Sequence, residues 1–330
     1  MDDFNSQDTY QSVIAPYIIS FLEEKRSLGF IYKTEEGILR RLDKYCIDNK
    51  LKEPTISKSF LDEWLSITDS EKERNLNKRI CTTRQLMMYM NSIGIQVYVP
   101  FEYCKTPAPL PHIFSKPEYS EFFNILDSQY AIVPKRYVRL AKEYSVLFRL
   151  YAATGLRNSE ACGIATSNVD LNNGVLTIMN GKGHKDRLVY LDSELAQFCR
   201  DYYLFMTTEL KFAPEWFFPG RNPRKPLANS NVDAVFKRIW NQTSFSNSCK
   251  NTPTVHDFRF SFITNRIDLW ISTGENIRNL LPYLSQYVGH KDIEKTYYYY
   301  HLTNNAMLNI HKLDKTADIV IPEVTSYEHV

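Results

Sequence analysis

The last third of the chain holds residues that could break and rejoin a phosphodiester. Within residues 254–301 lie a His-x-x-Arg pair, a Gly-His pair and four consecutive tyrosines: His256, Arg259, His290 and Tyr297–Tyr300. Guanidinium and imidazole groups bind phosphate oxygens and move protons, and a phenol is a nucleophile. These groups could transfer a phosphodiester without a metal ion or ATP.

Two further cations precede this stretch. Arg157 lies in the segment TGLRNSE, with Glu160 one helical turn further on, where its carboxylate could orient the guanidinium. Lys182 lies between two glycines at the tip of a predicted hairpin, and this segment lacks the spacing of a phosphate-binding P-loop. Taken singly, these features also fit a surface Arg–Glu pair, a common turn, a buried histidine and core tyrosines.

Composition and charge leave the class of partner open. The 330 residues are 43% hydrophobic and 24% charged, with a net charge of +2, so a nucleic acid would need a local basic surface. The six cysteines have no metal-ligand spacing, and we expect no metal and no other cofactor. With no signal peptide or long apolar run, we expect a soluble, cytoplasmic protein without a membrane partner.

Hydrophobic periodicity predicts four helices in the first hundred residues, which would form a small bundle. The predicted helices begin near Val13, Lys33, Ser57 and Asn75. Five prolines between residues 99 and 118 indicate a linker. We therefore predict an N-terminal helical domain over residues 1–106, a linker over 107–115 and a second domain over 116–330.

The fourth predicted helix is basic in its first half. Lys78, Arg79 and Arg84 crowd this region. They could form a solvated surface, or they could contact DNA phosphates or a groove. We keep both interpretations, with DNA contact as a hypothesis.

The second domain is predicted to be mainly helical with a small β-sheet. Helices fit Lys116–Asp127, Lys135–Thr154, Glu194–Thr207 and Val232–Trp240, and two extended runs fit Val175–Met179 and Arg187–Leu191. The fold class is therefore mainly α with a small sheet, in an α+β second domain.

The order of these motifs resembles the tyrosine recombinase (phage integrase) family. The resemblance rests on an Arg-x-x-Glu motif, a hairpin lysine, His-x-x-Arg, Gly-His and then a tyrosine, and it covers residues 112–301. The N-terminal bundle also resembles the core-binding domain of that family. The implied activity is site-specific DNA recombination through a 3′-phosphotyrosine intermediate and a Holliday junction.

The resemblance implies a role for each motif residue. Tyr299, which lies nine residues after His290 and two before His301, corresponds to the nucleophile, with Tyr298 and Tyr300 as alternatives. Arg157 and Arg259 would hold the scissile phosphate, and Lys182 would protonate the leaving 5′-oxygen. His256 and His290 would bond the phosphate and assist proton transfer, and Glu160 would support these groups.

The resemblance also implies partners. We expect double-stranded recombination sites, a homotetramer on DNA that could be monomeric when free, and accessory recombinases or DNA-bending proteins. The implied location is the bacterial cytoplasm, in association with the nucleoid. The tail, residues 302–330, is expected to dock on a neighbouring subunit through Ile319–Ile321, with a disordered tail as the alternative.

Several functions remain open at this point. We favour an integrase or transposase of a mobile element over a Xer-like recombinase that resolves chromosomes or plasmids. A type IB topoisomerase shares the chemistry. A non-catalytic DNA-binding relative and a helical adaptor without a nucleic-acid role are the alternatives from other classes.

Overall fold

A computed structural model describes residues 10–67, 71, 73–101, 110–179, 186–249, 251–290 and 292–300 of the chain. The chain divides into two compact units, Met1–Ala108 and Pro109–Val330. Within the described ranges no helix has the length and apolar character needed to cross a membrane.

The first unit is the predicted bundle of four helices. They are α1 (Ala15–Ser27), α2 (Lys33–Asp48), α3 (Lys58–Trp64) and α4 (Glu73–Ser92). Each buries one apolar stripe in a common core, which includes Ile18, Phe21, Leu39, Leu42, Leu61, Leu86 and Met87. Hydrophobic periodicity predicted these helices because each of them buries a single face.

The second unit consists of eight helices and a small sheet among the described residues. Its helices are α5 (Lys116–Ile132), α6 (Lys135–Thr154), α7 (Asn158–Cys162), α8 (Ser193–Leu210), α9 (Asn229–Trp240), α10 (Val255–Ser272), α11 (Ile277–Val288) and α12 (Glu294–Tyr300). The sheet is antiparallel in the order β1 (Val169–Asp170), β2 (Val175–Ile178) and β3 (Arg187–Tyr190). The predicted fold class, mainly helical with a small sheet, is confirmed.

The β2–β3 pair has the predicted hairpin form. Val175 is opposite Tyr190, and Ile178 is opposite Arg187. The connecting residues 180–185, and Lys182 with them, lie outside the described residues.

An aromatic core fixes the helix that carries two of the candidate residues. The ring of Phe258 on α10 lies 4.9–6.3 Å from six other rings, those of Phe114, Tyr119, Phe122, Phe148, Tyr151 and Phe236. Edge and tilted ring contacts of this kind add to the energy of burial. The rotation of α10 is thereby set, and Arg259 follows Phe258 directly.

The end of the predicted linker is attached to α10. The backbone N–H of His112 donates to Asp257 Oδ1 (3.1 Å), and that of Phe114 donates to Ser261 Oγ (2.8 Å). Phe114 is buried in the aromatic core. Residues 112–114 are therefore held against the second unit, while residues 102–109 lie outside the described residues.

Candidate active site

Arg157 is the N-cap of α7, at a tight helix-to-helix connection. Helix α6 is followed by its C-cap Gly155, whose φ of +63° is left-handed and whose added Cβ would come within 2.6 Å of Phe262. Arg157 donates from Nη1 to Glu160 Oε1 (2.6 Å) and from Nη2 to the carbonyl of Gly289 (2.9 Å). Since Gly289 is 132 residues away in sequence, the tertiary fold orients this guanidinium.

Glu160 binds a second arginine that sequence reasoning missed. Arg187 donates from Nη1 to Glu160 Oε1 (3.1 Å) and from Nη2 to Glu160 Oε2 (2.8 Å). Burial alone would raise the pKa of Glu160, but the bonds and charges of Arg187 and Arg157 outweigh it and lower that pKa to about 2. The carboxylate is therefore ionised at neutral pH.

A strand pattern could have revealed Arg187. It lies two residues before Val189, which is fully buried, and strand side chains alternate between faces. An arginine on the inward face of a strand requires a charged or carbonyl partner, because burial of an unpaired charge is costly.

Arg259 is the most enclosed cation of the site. It is 1% exposed and donates to the carbonyls of Gly155 (2.8 Å) and Val288 (2.6 Å). Both carbonyls lie at the C-terminal ends of helices, where the helix dipole favours positive charge. Burial and then the charge of Arg157 lower the pKa of Arg259 to about 10, so it stays protonated at neutral pH.

Both candidate histidines are neutral bases in this environment. His290 follows the left-handed Gly289 and contacts Thr296 Oγ1 through Nδ1 (2.9 Å). Burial and the charges of Arg259 and Arg157 lower the pKa of His290 to about 3. His256 lies in the first turn of α10, and desolvation followed by the charge of Arg259 lowers its pKa too.

The four tyrosines of α12 differ in their surroundings. Tyr299 is 5% exposed, and its ring stacks on His290 (5.7 Å) and leans on Phe260 (5.3 Å). Tyr297 and Tyr298 are 40% and 46% exposed, and Tyr300 is half-buried. The pKa of the Tyr299 phenol is raised, because burial outweighs the charges of Arg259 and Arg157, which lower it.

The structure thus gathers most of the predicted site residues in one place. Arg157, Glu160, Arg259 and His290 are linked by the bonds and charges described above, with Tyr299 stacked on His290 and His256 beside Arg259. Lys182 and His301 lie outside the described residues.

A group of potential metal ligands lies elsewhere in the second unit. Among the described residues, ligand atoms of His112, Glu118 and Cys249 lie within 4.8 Å of one another. Glu118 already uses both oxygens, since Oε2 caps α5 at Ser115 and Oε1 contacts His112. None of the candidate active-site residues belongs to this group.

The predicted DNA-contacting residues of α4 have different surroundings. Lys78 is exposed, and Arg84 lies over the ring of Phe101 at 4.9 Å. Arg79 instead is 8% exposed and binds the carbonyls of Trp64 (2.6 Å) and Ser66 (2.9 Å) and the carboxylate of Glu71.

The contacts of Arg79 correct its predicted role. Its bonds tie α4 to the end of α3, so the side chain stabilises the bundle rather than presenting a cation to solvent. Lys78 lines a groove of about 620 Å³ together with Arg79 itself and with Arg41 of α2, an exposed cation that sequence reasoning overlooked.

Comparison with known proteins identifies the family of the chain. Residues 118–306 match the phage integrase family. A protein of Sinorhizobium fredii named as an integrase/recombinase (y4rE) is 26% identical over 290 residues, which are 84% of this chain and 88% of that protein. The tyrosine recombinase XerC of Lacticaseibacillus casei is 24% identical over 254 residues, 74% of this chain and 78% of the relative.

Solved structures share the fold. The integrase of transposon Tn1549 in complex with a circular intermediate DNA superposes with a TM-score of 0.61 at 15% identity, over 90% of this chain and 99% of that one. The XerH site-specific recombinase bound to its difH substrate gives a TM-score of 0.60 at 20% identity, over 84% of this chain and 77% of that one.

The fold and the family match define the class as that of tyrosine-type DNA breaking and rejoining enzymes. The chain belongs to the phage integrase family, and the resemblance found in its motifs is confirmed.

Proposed function

We propose that this protein is a site-specific recombinase of a mobile element that cleaves DNA through Tyr299. The observation that carries the proposal is the position of Tyr299, the most buried tyrosine of α12, against His290 and within the field of Arg259 and Arg157. Double-stranded recombination sites are the proposed substrate.

The two arginines have donors left for a phosphate. A guanidinium has five N–H donors, and Arg259 uses two on backbone carbonyls while Arg157 uses two on Glu160 and Gly289. The remaining donors would bind the non-bridging oxygens of the scissile phosphate. Fixed donors of this kind stabilise the negative charge of a pentavalent transition state without reorganisation.

The proton transfers follow from the charges of the site. The Tyr299 oxygen forms a bond to phosphorus while the bond from phosphorus to the 5′-oxygen breaks, leaving a 3′-phosphotyrosine. The phenol proton passes to His290 or His256, which are unprotonated at neutral pH. The bound phosphate would offset the arginine charges that, after burial, lower the pKa values of these histidines, and would so make them stronger bases. Lys182 is the proposed donor of a proton to the 5′-oxygen, and the reverse steps rejoin the strand without ATP.

The relatives support a recombinase of either mobile-element or Xer-like type. A transposon integrase and a Xer recombinase match the fold equally well, with TM-scores of 0.61 and 0.60. We favour the mobile-element function, with bacterial nucleoid DNA as its location, and keep resolution of chromosomes or plasmids as the alternative. Recombination assays with sites from the flanking DNA, scored for integration, excision and dimer resolution, separate these two.

The experiment that tests the chemistry is covalent trapping in EDTA on a nicked duplex that carries the candidate site. Wild type should form a protease-sensitive DNA adduct, and Tyr299→Phe should not. Tyr297→Phe and Tyr298→Phe are matched controls because both rings are exposed, and both should retain the adduct. Loss of the adduct in a control but not in Tyr299→Phe would move the nucleophile, and DNA binding without any adduct would favour a non-catalytic relative.

The first unit is the proposed contact with DNA outside the cleavage site. Lys78 and Arg84 remain the proposed contacts on α4, and Arg41 joins them because it lines the same groove as Lys78. Arg79 lines this groove as well, but we leave it out of the set because it is 8% exposed and its guanidinium binds within the bundle.

A tetramer on DNA is the proposed assembly, with accessory recombinases or bending proteins as further partners. Residues 302–330 lie outside the described residues, and we propose that Ile319–Ile321 docks on a neighbouring copy. A groove of about 370 Å³ supports this, because it is lined by apolar side chains that include Trp270, Leu284 and Tyr287.

The tail proposal has a direct test. Ile319→Asp with Ile321→Asp should leave single-site binding unchanged and abolish two-site complexes in native gels. Two-site complexes at the wild-type level would contradict docking.

A further inference from the structure

We propose that Arg187 is a positioning residue that keeps Arg157 available to the scissile phosphate and fixes the turn that carries His290. The proposal rests on the proposed function, because it assigns a purpose to Arg187 in the same cleavage reaction. Arg187 lies at the start of β3, outside the motifs that carry the family resemblance.

The first observation is the two-point contact between Arg187 and Glu160. Both carboxylate oxygens accept a bond from Arg187, at 3.1 Å and 2.8 Å. The same two oxygens accept the Nη1 and the backbone N–H of Arg157, at 2.6 Å and 3.0 Å. Because a planar fork fixes the plane of a carboxylate, Arg187 sets the direction in which Glu160 holds Arg157.

The second observation is that Arg187 also holds the end of α11. Its Nε donates to the carbonyl of Tyr287 (2.9 Å), and a Cβ added at Gly289 would lie 3.0 Å from its Nη1. The carbonyl of Gly289 accepts Nη2 of Arg157 (2.9 Å), and His290 follows directly. One guanidinium thus packs against the carboxylate and the turn that together fix Arg157.

The third observation concerns charge. Glu160 is the carboxylate bound by both arginines, and its side chain is 7% exposed. While Arg187 shares that carboxylate, the charge of Arg157 is only partly neutralised. Without Arg187, Glu160 would pair with Arg157 alone and weaken the attraction of that arginine for a phosphate.

These contacts require an arginine. Arg187 uses its Nε and both terminal nitrogens on three different acceptors, and its side chain is only 8% exposed. A lysine is a compact point charge without the rigid fork, so it cannot bind the carboxylate at two points and reach Tyr287 as well.

The test compares Arg187→Lys with wild type in single-turnover cleavage of the nicked duplex, with DNA affinity measured separately by fluorescence anisotropy. A small misplacement of a catalytic group costs on the order of 10²-fold, so we expect cleavage to slow by roughly that factor. DNA affinity should stay at the wild-type value. Arg187→Gln is the second variant and should slow cleavage at least as much.

The matched control is Arg139→Lys, which breaks another buried Arg–Glu pair of the same unit. Arg139 binds Glu143 (3.0 Å) and the carbonyl of Gly220 (2.5 Å), and no motif residue takes part in these contacts. This variant should lower Tm and leave the cleavage rate of the folded protein unchanged.

A double-mutant cycle with Arg157→Lys identifies the route of the effect. If Arg187 acts through Arg157, then the change Arg187→Lys should cost far less in the Arg157→Lys background than in wild type. Equal costs in the two backgrounds would overturn the proposal.

The remaining outcomes are also decisive. Wild-type cleavage by Arg187→Lys, or parallel losses of Tm, affinity and cleavage in both Arg187 variants, would leave Arg187 without a positioning role. An adduct-free wild type would instead contradict the proposed function itself.

Discussion

Two buried glutamates of the second unit have arginine partners, yet their pKa values move in opposite directions. Glu143 on α6 is fully buried and binds the backbone N–H of Gly220 (2.9 Å) and one guanidinium, that of Arg139, and burial, opposed by that charge, raises its pKa to about 8. Glu160 binds two guanidiniums and a backbone N–H, and its pKa falls to about 2.

The two glutamates differ in the number of arginines that surround them. A single ion pair does not compensate for complete burial at Glu143, so that carboxyl is largely protonated at neutral pH. Around Glu160 the arginines outnumber the carboxylates, and burial, followed by this surplus positive charge, lowers the pKa values of His290 and Arg259. This surplus suits a phosphate, which supplies the missing negative charge.

The largest expected effect comes from removing a cation of the surplus. Arg259→Lys should slow single-turnover cleavage by roughly 10²–10³-fold, or about 3–4 kcal/mol, because fixed donors to the transition-state oxygens are lost. The rate of adduct formation at saturating protein measures the cleavage rate. A rate within a few-fold of wild type would contradict the proposed role of Arg259 in stabilising the transition state.

The next effect concerns Glu143 at alkaline pH. Its folded pKa of about 8 lies above the ordinary 4.5, so the fold binds this proton tightly and loses stability as pH rises from 4.5 to 8. Between pH 5.5 and 7.5 wild type should lose about 2.5 kcal/mol of unfolding free energy relative to Glu143→Gln. Urea titrations at both pH values measure this, and equal pH slopes in the two proteins would contradict it.

Glu160 should show the opposite dependence at acid pH. Its folded pKa of about 2 lies below the ordinary 4.5, so its stabilisation is complete above pH 4.5 and is lost as pH falls towards 2. Between pH 4.5 and 3 wild type should lose about 2 kcal/mol more than Glu160→Gln. Urea titrations at these two pH values supply the measurement, with Glu143→Gln as a control that keeps the acid slope.

The smallest effect extends the comparison to the first unit, where Arg79 and Glu71 form a third pair. Lys78→Ala should reduce the slope of log affinity against log salt by about 0.9, the value for one phosphate contact. Arg79→Lys should lower Tm, because a buried fork with three partners is lost, and should keep the salt slope. A reversed pattern would restore Arg79 as a DNA contact.

Local sequence patterns predicted most of the helices and the hairpin. The helix predicted over Lys135–Thr154 has those bounds in the structure, and α3, predicted to begin near Ser57, begins at Lys58 with Ser57 as its N-cap. These features depend on neighbours in sequence, namely an apolar period, a cap or a terminating glycine.

The missing parts depend on contacts between distant segments. Arg157 meets Gly289 across 132 residues, and Arg187 meets Tyr287 across 100, so no local pattern joins them. Arg79 looked like its neighbour Lys78 because both are basic, and only the positions of Trp64 and Ser66 show that it is buried. The motif residues were found because their order along the chain resembles a family.

Mass spectrometry of the trapped adduct tests most directly whether Tyr299 is the nucleophile. Trypsin should release the four tyrosines in one peptide that starts after Lys295, and fragmentation then locates the attached nucleotide. We expect the nucleotide on Tyr299, attached through a 3′-phosphate. A nucleotide on Tyr297, Tyr298 or Tyr300, or on a residue outside α12, would contradict it.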